Sequence, residues 1–377
     1  MQRNRGSSTT MVVVVAAAAA AAVTAAVAFM ISRKRFGKKK RNATSVGKPE
    51  NLVWNKPLSE LPTDGPVPLV DGANFLGEGP FWCSRRQELW WLDIDAKKVM
   101  KMRQSDAGDG TLLAEGWEVP TRPGSLAVRE GAVREPDCPL VVAFEDAFSL
   151  YNPYTGKRTP AAAPGAPDEY KQLPKSRMND GRCDRQGRFI SGGMNEENHG
   201  QPADVWKPKV GAFRVEGGGG VRRVLPEETF RCYNTTCFSP DGSLMYVSDS
   251  PLNKIVCFDY DVVTGATSNK RTFVDMQTEF PDGAAVDSEG CLWVALFGAG
   301  EVRRYGTDGN LMRTIKVPGA KQTTCVAFGG SELDILFITS ASVGLSDVER
   351  LEQPHAGALF AMRMEGVKGL PESYFLG

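Results

Sequence analysis

The chain has 377 residues, 41% hydrophobic and 24% charged, enough for one large or two medium domains with a buried core. Its net charge of zero hides an asymmetry: residues 1–49 hold ten Lys or Arg and no acid, leaving 35 basic against 45 acidic residues in the remainder. So acidic a body excludes a nucleic-acid partner, and two histidines, His199 and His355, exclude a multi-histidine zinc centre.

The first element is the apolar run Met11–Ile31, whose only polar side chain is Thr24. At ~1.5 Å per residue it spans about 31 Å, the thickness of a bilayer core. Arg3 and Arg5 precede it and "RKRFGKKKR" follows, so the heavier basic flank stays cytoplasmic. Residues 1–41 therefore read as a membrane-anchoring apolar helix with its basic flank, holding the rest of the chain in the cytosol. An acid-free leader rich in Ala with Arg and Ser also fits import into a mitochondrion or plastid. A secretory signal would carry its charge ahead of the apolar run, and this chain does the reverse. Residues 42–65, rich in Asn, Pro and Gly, read as a linker to a domain at 66–377.

That domain repeats. "GPFWCSRRQELWWLDI", "GRCDRQGRFISGGM", "TTCFSPDGSLMYVSDS", "GAAVDSEGCLWVALFG" and "CVAFGGSELDILFITSA" each place a polar turn between two short strands. A looser copy is "GSLAVREGAVREPDCPLVVAFEDAFSLYN". With Phe81, Leu126, Arg182, Thr236, Ala284 and Cys325 as markers, successive copies lie 45, 56, 54, 48 and 41 residues apart. A period near 50 with several strands per copy predicts an all-β, six-bladed propeller. "AFRVE", "KIVCFDYD" and "EVRRYGTDG" supply outer strands. No helical pattern after residue 50 exceeds about three turns, which argues against a doubly wound α/β fold. The eight cysteines show no CxxC spacing and read as reduced core thiols.

Candidate functional residues gather at one edge of the repeats. They are Glu78 in "LGEGPFW", Arg177, Asn179 and Asp180 in "SRMNDG", Asn234 in "CYNTTCF" and Asp282 in "FPDGAAVD". The polar run after Ser176 reads as a segment leading into a strand at Arg188–Met194. Turns at one end of a propeller's inner strands converge on its axis, so these groups point to one pocket.

"LGEGPFW", "RMNDGRCDRQGRFISGGM" and "PDGAAVDSEGCLWVA" resemble the signature segments of the senescence-marker protein, gluconolactonase and regucalcin family, over about Leu69 to Met364. The resemblance implies a six-bladed propeller that holds one divalent cation in its channel and hydrolyses sugar lactones. It implies Glu78, Asn234 and Asp282 as metal ligands, and Arg177, Asn179 and Glu197 as contacts to the lactone. Three departures stand out: Thr235 follows the ligand Asn where the family usually has Gly, the N-terminal anchor lies outside the usual pattern, and so does the insertion-like "PADVWKPK", expected to reshape the mouth.

One Glu, one Asn and one Asp offer only oxygen, which suits hard cations. Ca²⁺ leads, with Mg²⁺, Mn²⁺ or Zn²⁺ as alternatives. Asp282 is placed both to touch the metal and to take a proton from the attacking water, and Arg177 offers a fork of donors. A calcium-binding regulatory propeller without catalysis remains the alternative, since fold does not fix function. Strictosidine-synthase-like and paraoxonase-like propellers lack this Glu–Asn–Asp order. Asn42-Ala43-Thr44 and Asn234-Thr235-Thr236 both match the glycosylation acceptor pattern. A lumenal domain would risk a glycan on a presumed ligand, which again favours the cytosol.

Overall fold

A computed structural model of the chain describes residues 54, 56–72, 74–106, 110–131, 140–161 and 173–377. The apolar run Met11–Ile31, and with it the expected anchor, lies outside these residues. Among the described residues no helix is long and apolar enough to cross a membrane.

Six four-stranded antiparallel sheets follow one another around an axis, as the repeat period predicts. Blade 1 comprises Gly77–Cys83, Glu88–Asp93, Lys98–Gln104 and Leu112–Glu118. The inner strands of blades 2 to 6 are Pro123–Val128, Ser176–Cys183, Tyr233–Phe238, Phe280–Val286 and Thr323–Gly329. Blade 6 takes its outermost strand, Val67–Val70, from the start of the domain, where it pairs with Leu359–Arg363. The first and last strands of the propeller thus share one sheet, which closes the ring and removes two exposed edges.

The second strands explain the apolar runs in the sequence. Glu88–Asp93 and Ile335–Ser340 are buried along their whole length because a neighbouring blade covers each face. Alternate residues go to different interfaces. Trp90 and Leu92 join Leu126 and Val142 of blade 2, whereas Leu89 and Trp91 join Phe337 and Leu359 of blade 6. In that second interface Trp82 stacks on Phe337 at 5.6 Å between centroids, a contact worth about 0.5–1.5 kcal/mol beyond the area it buries. Leu58 and Leu61, in the segment read as a linker, are buried in the same cluster.

The inner strands differ from the expectation. The polar run at Ser176 is not a lead-in; Ser176–Cys183 is itself the inner strand of blade 3, paired with Phe189–Asn195. An inner strand lines the axial channel, so its channel-facing side chains are polar and resemble a loop in the sequence. All six inner strands break register in the same stretch, between Glu78 and Phe81 in blade 1, Asn234 and Cys237 in blade 4, and Pro281 and Ala284 in blade 5. Such bulges bend a strand and re-aim its side chains, here toward the axis.

Residues Lys368–Gly377 cross the end of the axis reached by the inner-strand hairpin turns. Gly369 bridges to Asp287 of blade 5 and Phe375 to Arg129 of blade 2. Glu372 on this tail forms an ion pair with Arg182, which also donates to the carbonyl of Ala284. The tail closes that end.

Candidate active site

At the open end, Glu78, Asn179, Asn234 and Asp282 sit at the bulges of four inner strands, Glu78 and Asn234 as the last paired residues before the break and Asn179 and Asp282 as the first within it. Gly124 and Thr324 hold the equivalent positions in blades 2 and 6. Of the seven residues named from the sequence, Glu78, Arg177, Asn179, Glu197, Asn234 and Asp282 line one cavity of about 840 Å³, whereas Asp180 is outside its lining, its carboxylate held by the Thr236 amide. Five of the lining six are buried, from 2% exposed for Asn234 to 7% for Glu78. Glu197 sits at the rim, half exposed, in ion pairs with Lys209 at 3.2 Å and Lys175 at 4.0 Å.

A hydrogen-bond chain fixes the polar wall. Arg177 Nη1 donates to Asn179 Oδ1 at 2.6 Å, and Asn179 Nδ2 donates to Asn234 Oδ1 at 2.8 Å. Asn234 Nδ2 donates to Ser250 Oγ at 2.8 Å. The amide nitrogen is thereby engaged, and the carboxamide oxygen keeps a lone pair for a further partner.

Thr235 takes the left-handed conformation, φ 63°, that a glycine would adopt without strain. A β-branched residue there carries roughly 1–3 kcal/mol of backbone strain. Its hydroxyl offsets this by donating to the carbonyl of Asp282 at 2.7 Å and meeting Ser248 Oγ at 2.8 Å. Thr235 therefore keeps the bulge and adds a tie between the strands of Asn234 and Asp282.

Three buried carboxylates, Glu78, Asp180 and Asp282, interact here. Burial, reinforced by Asp180, pushes Glu78 up to about 8 despite the Gly79 amide and Arg177. Burial, reinforced by Glu78 and Asp180, holds Asp282 well above the usual carboxylate range. Asp180 is raised by burial while its Oδ2 accepts from the Thr236 amide at 2.7 Å. Buried acids of like charge either stay protonated or take a cation. Glu78, Asn234 and Asp282 supply oxygens only, so the donor set fits a hard divalent ion. Among the described residues no group of three or more His, Cys, Asp or Glu forms a metal-holding cluster, and this set has two carboxylates and a carboxamide.

Sequence reasoning passed over two participants. Glu196 lines the cavity, gripped by Arg122 through Nη1 at 2.6 Å and Nη2 at 2.8 Å, and lies 3.7 Å from Arg177 Nε. Arg122 sits in the loosest repeat, two residues before Gly124, where register was hardest to read; counting back from the hairpin would have aligned it with Arg177. The insertion "PADVWKPK" forms part of the wall. Trp206 is buried, donates to the carbonyl of Asn195 at 2.6 Å, and lies 4.9 Å from the ring of His199. The seven described cysteines are free and buried, with Cys232 at the cavity wall.

The fold and the site define a six-bladed propeller with a small-molecule cavity over a cluster of buried oxygen donors. The chain belongs to the SMP-30/Gluconolactonase/LRE-like family, whose model matches residues 76–342. It is 34% identical to L-arabinolactonase of Azospirillum brasilense over 82% of this chain and 95% of that protein. It is 32% identical to regucalcin of Xenopus laevis over 82% of this chain and 97% of that one. Among solved structures it superposes on regucalcin of Agrobacterium tumefaciens, described as a calcium-binding protein, with TM-score 0.70 and 28% identity, over 84% of this chain and 98% of that one.

Proposed function

We propose that the protein is a divalent-cation-dependent lactonase acting on sugar-type lactones. The observation that carries the proposal is the placement of Glu78, Asn234 and Asp282 beside the Arg177–Asn179 pair in one cavity. Relatives named L-arabinolactonase and 6-deoxy-6-sulfogluconolactonase support it.

Glu78, Asn234 and Asp282 would hold the ion. When bound, it supplies positive charge that keeps both carboxylates ionised and draws electron density from a carbonyl oxygen. Arg177 presents donors and Asn179 its carboxamide oxygen on one wall, and together they orient the lactone ring. Asp282 takes a proton from water as the water oxygen bonds to the carbonyl carbon. The ring carbon–oxygen bond then breaks, and Asp282 returns the proton to the departing oxygen. The product is a hydroxy acid.

Arg177→Ala and Asn179→Ala are expected to lower lactone turnover at least about tenfold while cation affinity changes little. An equal fall in cation affinity would assign both residues to the ion site. The relatives named regucalcin favour a second reading, a calcium-binding regulatory propeller. Tight calcium binding without turnover of any lactone would establish it.

We further propose that the propeller faces the cytosol, tethered through Met11–Ile31. The motivation is the basic run after Ile31. Protease added to the cytosolic face of intact organelles is expected to digest the propeller, and protection would favour import instead.

A further inference from the structure

Two residues toward the mouth from the buried oxygen donors lies a second ring of register-equivalent positions. Alternation along a strand keeps residues i and i−2 on one face, and Leu76, Arg177, Cys232 and Phe280 of this ring line the cavity, with Arg122 reaching it through Glu196. Blades 2 and 3 place arginines there, Arg122 and Arg177. Blades 4, 5 and 1 place Cys232, Phe280 and Leu76, and blade 6 places Gln322, which lies outside the cavity lining with its amide donating to the Val343 carbonyl at 3.2 Å. The cavity is therefore divided: a charged arc on one side, an apolar arc on the other.

Neighbouring elements extend the apolar arc. Phe297, on the second strand of blade 5, pairs directly with Phe280, their rings 6.3 Å apart and tilted by 58°. Val343, after the second strand of blade 6, continues the same wall. Phe280, Phe297, Leu76 and Val343 are all partly exposed, and Phe280 is backed by Met194, Trp206 and Cys232. A backed aromatic wall is a preformed surface for apolar groups. At about 840 Å³ the cavity also approaches the upper end of the roughly 300–1,000 Å³ that suits drug-sized ligands, and a monosaccharide lactone fills only part of it.

We infer that the preferred substrate is a lactone carrying an alkyl or aryl substituent, seated against Phe280, Phe297, Leu76 and Val343 while its ring oxygens face Arg177 and Asn179. This rests on the lactonase reading and narrows its substrate class. A fully hydroxylated sugar would lay polar groups against that wall, where they lose water without gaining partners.

The test compares δ-valerolactone, its phenyl-substituted derivative and glucono-δ-lactone on the full-length protein, chelated and reloaded with a single cation. The two δ-valerolactams, with and without phenyl, report binding by calorimetry independently of turnover. The phenyl group is expected to raise kcat/KM and lactam affinity about tenfold or more. Phe297→Ala is expected to reduce that preference to within about threefold, and Phe297→Leu to retain most of it, with thermal melting checking that both fold. Equal or better use of glucono-δ-lactone, or a preference unmoved in Phe297→Ala, would overturn the inference and leave the lactonase reading intact. A phenyl preference among the lactams with no lactone hydrolysed would instead retain the apolar arc and sink the lactonase reading.

Discussion

Thr235 shows how a single residue can secure this site. It holds a left-handed bulge between two metal-ligand candidates, and its hydroxyl reaches the backbone of Asp282. Thr235→Ala keeps the strain, removes the hydroxyl and leaves the buried Asp282 carbonyl short of a donor. A loss of about 1–3 kcal/mol is expected in denaturant melts, together with weaker cation binding. Thr235→Ser is expected to recover both, and a silent Thr235→Ala would remove the tie from the account. The carboxylates lead to a pH prediction. With Glu78 raised from 4.5 to about 8, the metal-free folded protein binds more protons than the unfolded chain between those values. Stability of the chelated protein is therefore expected to be greatest below about 4.5 as far as this group is concerned, and to fall as pH rises toward 8. Cation loading is expected to reverse that slope, because binding displaces the protons. Melting temperatures of chelated and loaded protein across this range check both signs.

At the scale of elements, the inner strands depend on close approach at the bulge. A Cβ on Gly124 would stand 2.5 Å from the backbone of Met178, in the strand that carries Arg177 and Asn179. Gly124→Ala is expected to cost about 1–3 kcal/mol and to raise KM for the lactone, since backbone cannot yield as a flexible side chain would. An unchanged KM would show that blade 3 tolerates the shift. The elements also show what a reader of the sequence could see. Second strands such as Leu292–Phe297 are apolar throughout because both faces are covered, and their hairpins were legible as repeats. Glu78, Asn234 and Asp282 were legible through their equal distance from those hairpins. The inner strand Ser176–Cys183 was not, because a strand facing a polar channel alternates like a solvated segment. Glu196 was hidden for another reason: its carboxylate is brought to the site by Arg122, a contact 74 residues away in sequence.

For the whole molecule, the ring needs two closures. One is the strand Val67–Val70 in blade 6; the other is the C-terminal tail across the far end of the axis. Arg182 depends on Glu372 of that tail, so Glu372→Gln leaves a partly buried guanidinium short of its counter-charge. A loss of about 3–5 kcal/mol is expected by denaturant unfolding, with little change in substrate selectivity because the open end is untouched. Loss of selectivity without loss of stability would mean that the two ends communicate. The site itself stands on convergence: blades 1, 4 and 5 each deliver one oxygen donor to a single axis, and blade 3 delivers the proposed substrate contacts. The most direct test of that convergence is lactone hydrolysis by chelated protein on re-addition of Ca²⁺, Mg²⁺, Mn²⁺ or Zn²⁺ singly, with Asp282→Ala measured alongside and cation affinity followed by calorimetry. Hydrolysis restored by a divalent ion in the wild type, and absent in a folded Asp282→Ala that binds the ion more weakly, is the expected result. Undiminished hydrolysis after chelation, or full activity in Asp282→Ala, would contradict the account.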